Sequence, residues 1–335
     1  MGLAPAGPED KIDPDHSFVA IQAMRMPVER RRWAHENGVQ GNILLKAHGG
    51  LGDIICSEPS VNFALKTFKN VEISLLTDFP EFFQHHSFKK VYRIGDPELK
   101  VLDHYVYDMH AGNGDLPWDF ICGITCHCID FPSLTAFRAM LTKEYRQILL
   151  VPSREESFSV VWKLPKEGIV TLHPGAGWAS KTFPKQWWDQ VIRTLKRADL
   201  TPVLIGKKTA IGGTVDVNTS GCIDLREELS PMESVAVLQR SDVVLTNDSS
   251  PLHMAASGDA FVGFISLAKH PDYLIHTRHG AHGWRMEHFG KGGVWEHMDV
   301  CLNSGDVTAI TDSQLDRWLP IPEDFANWAI SKIHW

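Results

Sequence analysis

Short apolar or β-branched runs recur along the chain, each bounded by polar residues or glycine. Asn42-Ile-Leu-Leu-Lys-Ala47, Val71-Glu-Ile-Ser-Leu-Leu76, Gly168-Ile-Val-Thr-Leu172, Pro202-Val-Leu-Ile-Gly206, Asp242-Val-Val-Leu-Thr-Asn247 and Ala260-Phe-Val-Gly-Phe-Ile-Ser266 have this form. A strand that is apolar on both sides is a strand covered on both faces, which is the habit of parallel sheets. Val91-Tyr-Arg-Ile94 and Cys222-Ile-Asp-Leu225 read as shorter strands. Between these runs the apolar positions shift to helical spacing, predicting helices over 16–37, 53–69, 133–146, 182–198 and 230–239, another from Pro251, and one or two over 311–335. Strand and helix in alternation predict an α/β fold with Rossmann-like parallel sheets. Over 95–135 the periodicity weakens, and 153–168, with its charges, Ser, Pro165 and Gly168, reads as the boundary between two halves.

Three strands run into turns with unusual chemistry. His48-Gly-Gly-Leu-Gly-Asp53 has glycines at 49, 50 and 52, which permit positive φ and close backbone approach. It lacks the third glycine and the later acid of a dinucleotide fingerprint, which disfavours a nicotinamide enzyme. His173-Pro-Gly-Ala-Gly-Trp-Ala-Ser-Lys181 is a second glycine-rich turn, and it ends in a cation. In the third, Asp248, Ser249 and Ser250 supply acceptors for free N–H groups, and Pro251 suits a first helical position. A strand, a hydroxyl-rich turn and a helix N-terminus form a place for an anion, although an ordinary capped βα unit has the same letters.

Composition narrows the class. At 335 residues and 43% hydrophobic content the chain exceeds the size of most single cores, so two domains are expected. A net charge of −8 argues against coating nucleic acid by bulk electrostatics. No run of about 18 apolar residues and no basic-then-apolar leader is present, so a cytoplasmic protein without a stable membrane span is expected. Six cysteines without paired spacing fit reduced thiols. Cys122, Cys126, His127 and Cys128 lie close together, with His104 and His110 upstream. Metal ligation is conceivable there, but the spacing is not a standard zinc pattern, and small buried thiols are the commoner case. His270, His276, His279, His282, His288 and His297 crowd a loop-like stretch, as either a metal or acceptor pocket or a plain surface loop.

Gly49-Gly-Leu-Gly-Asp53 with Pro59, then His173-Pro-Gly-Ala-x-Trp with Lys181-x-Phe-Pro and Trp187, then Asn247-Asp-Ser-x-Pro-x-His253-x-Ala-Ala, come in an order and spacing similar to the ADP-heptose:lipopolysaccharide heptosyltransferases, glycosyltransferase family nine. The resemblance covers about residues 42–266. It implies a GT-B architecture of two Rossmann-like domains facing across a cleft, with a C-terminal helix crossing back to the first. The divisions expected are an extension over 1–40, an acceptor-side domain over 41–155, a nucleotide-sugar domain over 156–310 and crossing helices over 311–335. It also implies an inverting transferase that moves a heptose or hexose-like sugar from a nucleotide diphosphate, favouring an ADP-sugar, with no cofactor required and no metal.

Asp53 resembles the general base, its alternative being a cap for the helix that follows. Gly50, Gly52 and His48 fall on the acceptor side. Lys181, Ser249, Ser250, Leu252, His253, Asp248, His173 and Gly175 fall on the donor side, and Glu233 resembles the acceptor of the ribose hydroxyls. Ser250 stands where the family usually has Gly, and residues 270–295 do not follow its pattern, which leaves sugar and acceptor open. A protein or a modified nucleobase as acceptor, or a non-catalytic nucleotide-sugar-binding protein of the same fold, are the competing readings.

Overall fold

The computed structural model describes residues 42–68, 71–100, 104–110, 127–137, 141–175, 181–210, 213–276, 285–293 and 311–333. The expected helix over 16–37 lies outside them, as do Cys122, Cys126, His279, His282 and His297. The chain divides into two compact units, Met1–Leu149 and Leu150–Trp335.

The first unit is built on a four-stranded parallel sheet in the order β3-β2-β1-β4. Its strands are β1 (Asn42–Lys46), β2 (Glu72–Leu76), β3 (Val91–Tyr92) and β4 (His104–Asp108). Ile43, Leu44 and Leu45 of β1 are fully buried, as the unbroken apolar run requires. Helix α1 (Leu51–Thr67) follows the glycine turn and runs through Pro59 without ending there. Helix α2 (Asp130–Phe137) ends well short of the predicted 146, and Lys143–Tyr145 forms only a 3-10 turn. β4 escapes the sequence pattern, because His104-Tyr-Val-Tyr-Asp108 carries polar ends and too little aliphatic content to stand out. It nevertheless pairs along the whole of β1, with Lys46 opposite Asp108.

The second unit holds a six-stranded parallel sheet in the order β12-β11-β10-β5-β6-β9. In chain order it contributes α3 (Arg154–Val161), β5 (Val170–His173), α4 (Lys185–Arg197), β6 (Val203–Leu204), a small hairpin of β7 (Thr209–Ala210) and β8 (Gly213–Thr214), and β9 (Ile223–Asp224). Then follow α5 (Pro231–Arg240), β10 (Val243–Asn247), α6 (Ser250–Ala255), β11 (Phe261–Ile265), β12 (Met286–His288), α7 (Asp312–Trp318) and α8 (Pro322–Ile333).

Two expectations are corrected here. The supposed linker contains α3, which Ser153 starts by accepting from Glu156 N while the Glu156 carboxylate accepts from Ser153 N. That reciprocal cap outweighs the polar composition of the segment. The histidine-rich stretch contributes β12 to the sheet edge instead of a continuous loop.

Trp188, Val191, Ile192 and Leu195 of α4 are buried at i, i+3, i+4 and i+7, the stripe of a helix laid on a sheet. Each such aliphatic side chain stabilises the unit by about 1.5–3 kcal/mol. The last two helices close the same face. Trp187 Nε1 donates to Pro320 O at 2.9 Å, and Trp328 Nε1 donates to Glu287 at 2.6 Å. A Cβ on Gly263 would come within 2.9 Å of both Leu245 and Trp328. What holds α8 in place is therefore close contact with β10, β11 and α4 of its own unit. Among the described residues, no helix is long and apolar enough to cross a membrane.

Candidate functional site

In the first unit the glycine turn lies at the carboxyl ends of β1 and β4, where open parallel sheets hold ligands. Helix α1 begins at Leu51, two residues earlier than predicted, so Gly52 and Asp53 belong to its first turn. Asp53 Oδ2 accepts from Gly50 N at 3.0 Å. Capping is thus part of its work, yet half of the side chain, 51%, remains exposed.

His110 Nε2 lies 3.7 Å from the same oxygen, an ion-pair distance and too long for a good hydrogen bond. The Asp53 carboxylate holds the His110 imidazole above its ordinary value, against the opposing effect of burial. Gly49 makes this approach possible. Its φ is +111°, and a Cβ there would stand 2.7 Å from the His110 ring.

Behind this pair sits Asp108, which is buried. It accepts from Lys46 Nζ at 2.7 Å and from His110 N at 3.0 Å, and lies 2.8 Å from His48 Nε2. Burial pushes its carboxyl up, but the bonds from His48 and Lys46 outweigh this and hold it below the usual range. The rings of His48 and His110 are 4.9 Å apart. Sequence reasoning places His48, Gly50 and Asp53 here, but it groups His110 with the thiols and passes over Lys46 and Asp108. The missing signal is β4, without which nothing brings residue 108 beside residue 46. Of the proposed thiol cluster only His127 and Cys128 are described, with Cys128 Sγ 3.8 Å from His127 Nδ1. Among the described residues Cys56, Cys128 and Cys222 form no disulfide.

The pairing near His110 has a consequence for stability. A histidine whose folded value is raised stabilises the folded state fully below the unfolded value of about 6.5, and loses that contribution as pH rises through the higher folded value. The melting temperature of the wild type should therefore fall, relative to that of Asp53→Asn, as pH rises above about 6.5. Equal slopes in a thermal-denaturation series would remove the interaction.

In the second unit the site gathers at the carboxyl ends of β5 and β10, around Asn247. This fully buried side chain donates from Nδ2 to Gly175 O at 3.2 Å and to Lys181 O at 2.5 Å, joining the two ends of the glycine-rich turn. Its Oδ1 accepts from Ser249 Oγ at 2.5 Å and lies 3.3 Å from His173 Nδ1. Burial lowers the His173 imidazole to about 4, with the Asn247 bond opposing, so the ring is neutral near pH 7. Gly206, with φ +99°, leaves it room, since a Cβ there would fall 2.5 Å from the His173 ring. Lys181 Nζ lies 3.0 Å from Asp248 Oδ2, and both side chains are largely buried. Burial raises the Asp248 carboxyl, but the charges of Lys181, Lys269 and His253 outweigh it and hold it low.

Several donor-side residues have partners within the unit. Ser249 does not cap α6. Its hydroxyl is drawn to Asn247 and His173, because a buried amide and a neutral imidazole beside it must be satisfied. The Leu252 N–H donates to Ser249 O at 3.0 Å and so is already occupied. The His253 ring lies 2.8 Å from His276 Nε2, a buried imidazole pair that takes one histidine out of the supposed loop. Glu233 closes a reciprocal cap with Ser230, and its other oxygen accepts from Ser159 Oγ at 2.6 Å. Both oxygens thus have a partner within the unit. Asn247, which joins Gly175, Lys181, His173 and Ser249, enters the sequence reading only as part of a motif.

Comparison with solved structures gives the fold. The chain superposes on a family 9 glycosyltransferase from Veillonella parvula DSM 2008 over 88% of its own length and 96% of the other's, with a TM-score of 0.60 at 12% identity. It matches ADP-heptose LPS heptosyltransferase II of E. coli over 79% and 99%, with a TM-score of 0.54 at 13% identity. It also matches TibC, an iron-containing dodecameric glycosyltransferase from enterotoxigenic E. coli H10407, over 88% and 76%, with a TM-score of 0.61 at 17% identity. At these identities the likeness is one of fold, and the fold is that of the GT-B glycosyltransferases. In sequence, residues 140–262 match glycosyltransferase family 9 (heptosyltransferase), and together with the fold this match supports a glycosyltransferase. No curated protein is detectably similar to it in sequence.

Proposed function

We propose that the chain moves a heptose or hexose-like sugar from a nucleotide-diphosphate donor to an acceptor hydroxyl, with inversion and with Asp53 as general base. The observation that carries this is a half-exposed carboxylate at the carboxyl end of a parallel strand, beside a histidine able to share its proton. In the step, Asp53 takes the hydroxyl proton as the acceptor oxygen attacks the anomeric carbon. The bond to the diphosphate breaks on the opposite side, so one displacement inverts the centre, and the step as proposed uses no cofactor.

The diphosphate would be held in the second unit. There the ammonium of Lys181 lies 3.0 Å from Asp248 Oδ2 at the end of the glycine-rich turn, and lysine binds phosphate as a point charge. The neutral His173 and the Ser250 hydroxyl complete the donor side. An ADP-sugar is favoured because the similar TibC is known in complex with ADP-D-β-D-heptose.

The test is a thermal-shift screen with ADP-, UDP-, GDP- and CDP-sugars, since a ligand that binds the folded state raises its melting temperature. One donor class should stabilise the wild type, and Lys181→Ala should lose most of that shift. No shift with any of them would overturn the donor assignment. An unchanged shift in the variant would remove Lys181 from the phosphate site.

A further inference from the structure

A second cluster in the first unit lies apart from the Asp53 turn. Glu58, on α1, is fully buried as a side chain. His85 and His86 follow the 3-10 turn Pro80–Phe83 and bring their rings within 3.9 Å of each other, with side chains only 11% and 10% exposed. His86 Nε2 lies 2.8 Å and His85 Nε2 3.4 Å from Glu58 Oε1, while Oε2 accepts from Leu149 N at 2.8 Å.

A carboxylate sealed from water needs a countercharge. The described partners of Glu58 include no lysine or arginine. They are two imidazoles and one backbone N–H.

We propose that Glu58, His85 and His86 form a site for a divalent transition-metal ion, zinc being the best match to two imidazole nitrogens and one carboxylate oxygen. The three ligand atoms already lie within 4.8 Å of one another. Around a tetrahedral zinc, with bonds of about 2.0–2.2 Å, neighbouring ligand atoms stand roughly 3.3–3.5 Å apart. The His85–Glu58 separation already has that value, and the His86–Glu58 pair would open by about half an ångström to admit the ion. The exposed edges of the two rings give an entry path, and the ion would supply the positive charge that buried Glu58 calls for. Such a site joins α1, the turn after β2 and the backbone at Leu149. It is structural in placement and independent of the transfer reaction.

The experiment uses the full chain, treated with chelator, dialysed and titrated with Zn2+ and, separately, Co2+. Binding should be near one equivalent per chain, with a visible Co2+ absorption band from nitrogen ligation and a melting temperature raised by the ion. His85→Ala and His86→Ala should each weaken binding by at least about tenfold and lose the Co2+ band. Both histidines touch solvent, so these variants should fold even where Glu58→Gln does not, and circular dichroism checks this. Absence of binding in the micromolar range would overturn the proposal. So would binding that both histidine variants retain, which would locate the metal elsewhere. A melting temperature that depends on pH through the histidine range but not on metal would assign the countercharge to a proton, and would likewise overturn it.

Discussion

Replacing Asp53 with Asn should lower kcat by on the order of 10^2–10^4-fold and leave donor affinity nearly unchanged. The amide keeps an oxygen that can accept from Gly50 N, so the start of α1 survives and the loss falls on proton transfer. This corresponds to about 3–5 kcal/mol of transition-state stabilisation. Steady-state kinetics alongside calorimetric titration of the donor separates the two effects. Retained turnover would assign the base elsewhere, with His110 the next group to test. A parallel loss of donor affinity and turnover would mean that the substitution had disturbed the turn itself.

The second large effect is expected at a residue with no part in the chemistry. Asn247→Ala removes two donors, to Gly175 O and Lys181 O, and the acceptor for Ser249. Each buried polar group left unpaired costs about 1–3 kcal/mol, and relaxation recovers part of the sum. A loss of about 2–4 kcal/mol is expected, with a fall in the melting temperature of roughly 5–15 °C. Donor binding should weaken too, because Lys181 is placed by the carbonyl that Asn247 holds. A variant as stable as the wild type would show that the turn is held by other contacts.

Much of this fold is legible because its strands are short, apolar and ended by glycine or capping residues. β1, β5, β10 and β11 are of that kind, and the turns after β1, β5 and β10 carry most of the candidate site. What escapes detection depends on pairing. β4 and β12 have polar, histidine-bearing sequences whose strand character comes from the neighbour they join, and local pattern does not report a neighbour. With β4 hidden, Asp108 and His110 have no visible place beside Asp53. The turn residues show a different effect. Ser249 and Glu233 read as side chains on offer to a ligand, and in the structure they also have partners within the unit, Asn247 and His173 in one case and Ser230 and Ser159 in the other. His253 repeats the pattern, its ring bound to a histidine 23 residues on.

The seating of α8 over Gly263 bears on how the chain is made. The first unit is contiguous and ends at Leu149, so all of it has left the ribosome while much of the second is still being synthesised. The second unit cannot reach its final packing until Phe325, Trp328 and Ala329 have emerged to cover β10 and β11. For the time it takes to translate the stretch from Ile265 to Ile333, at roughly 5–20 residues per second, an apolar sheet face waits uncovered. A nascent chain stalled in that interval is the form most exposed to chaperones and to aggregation.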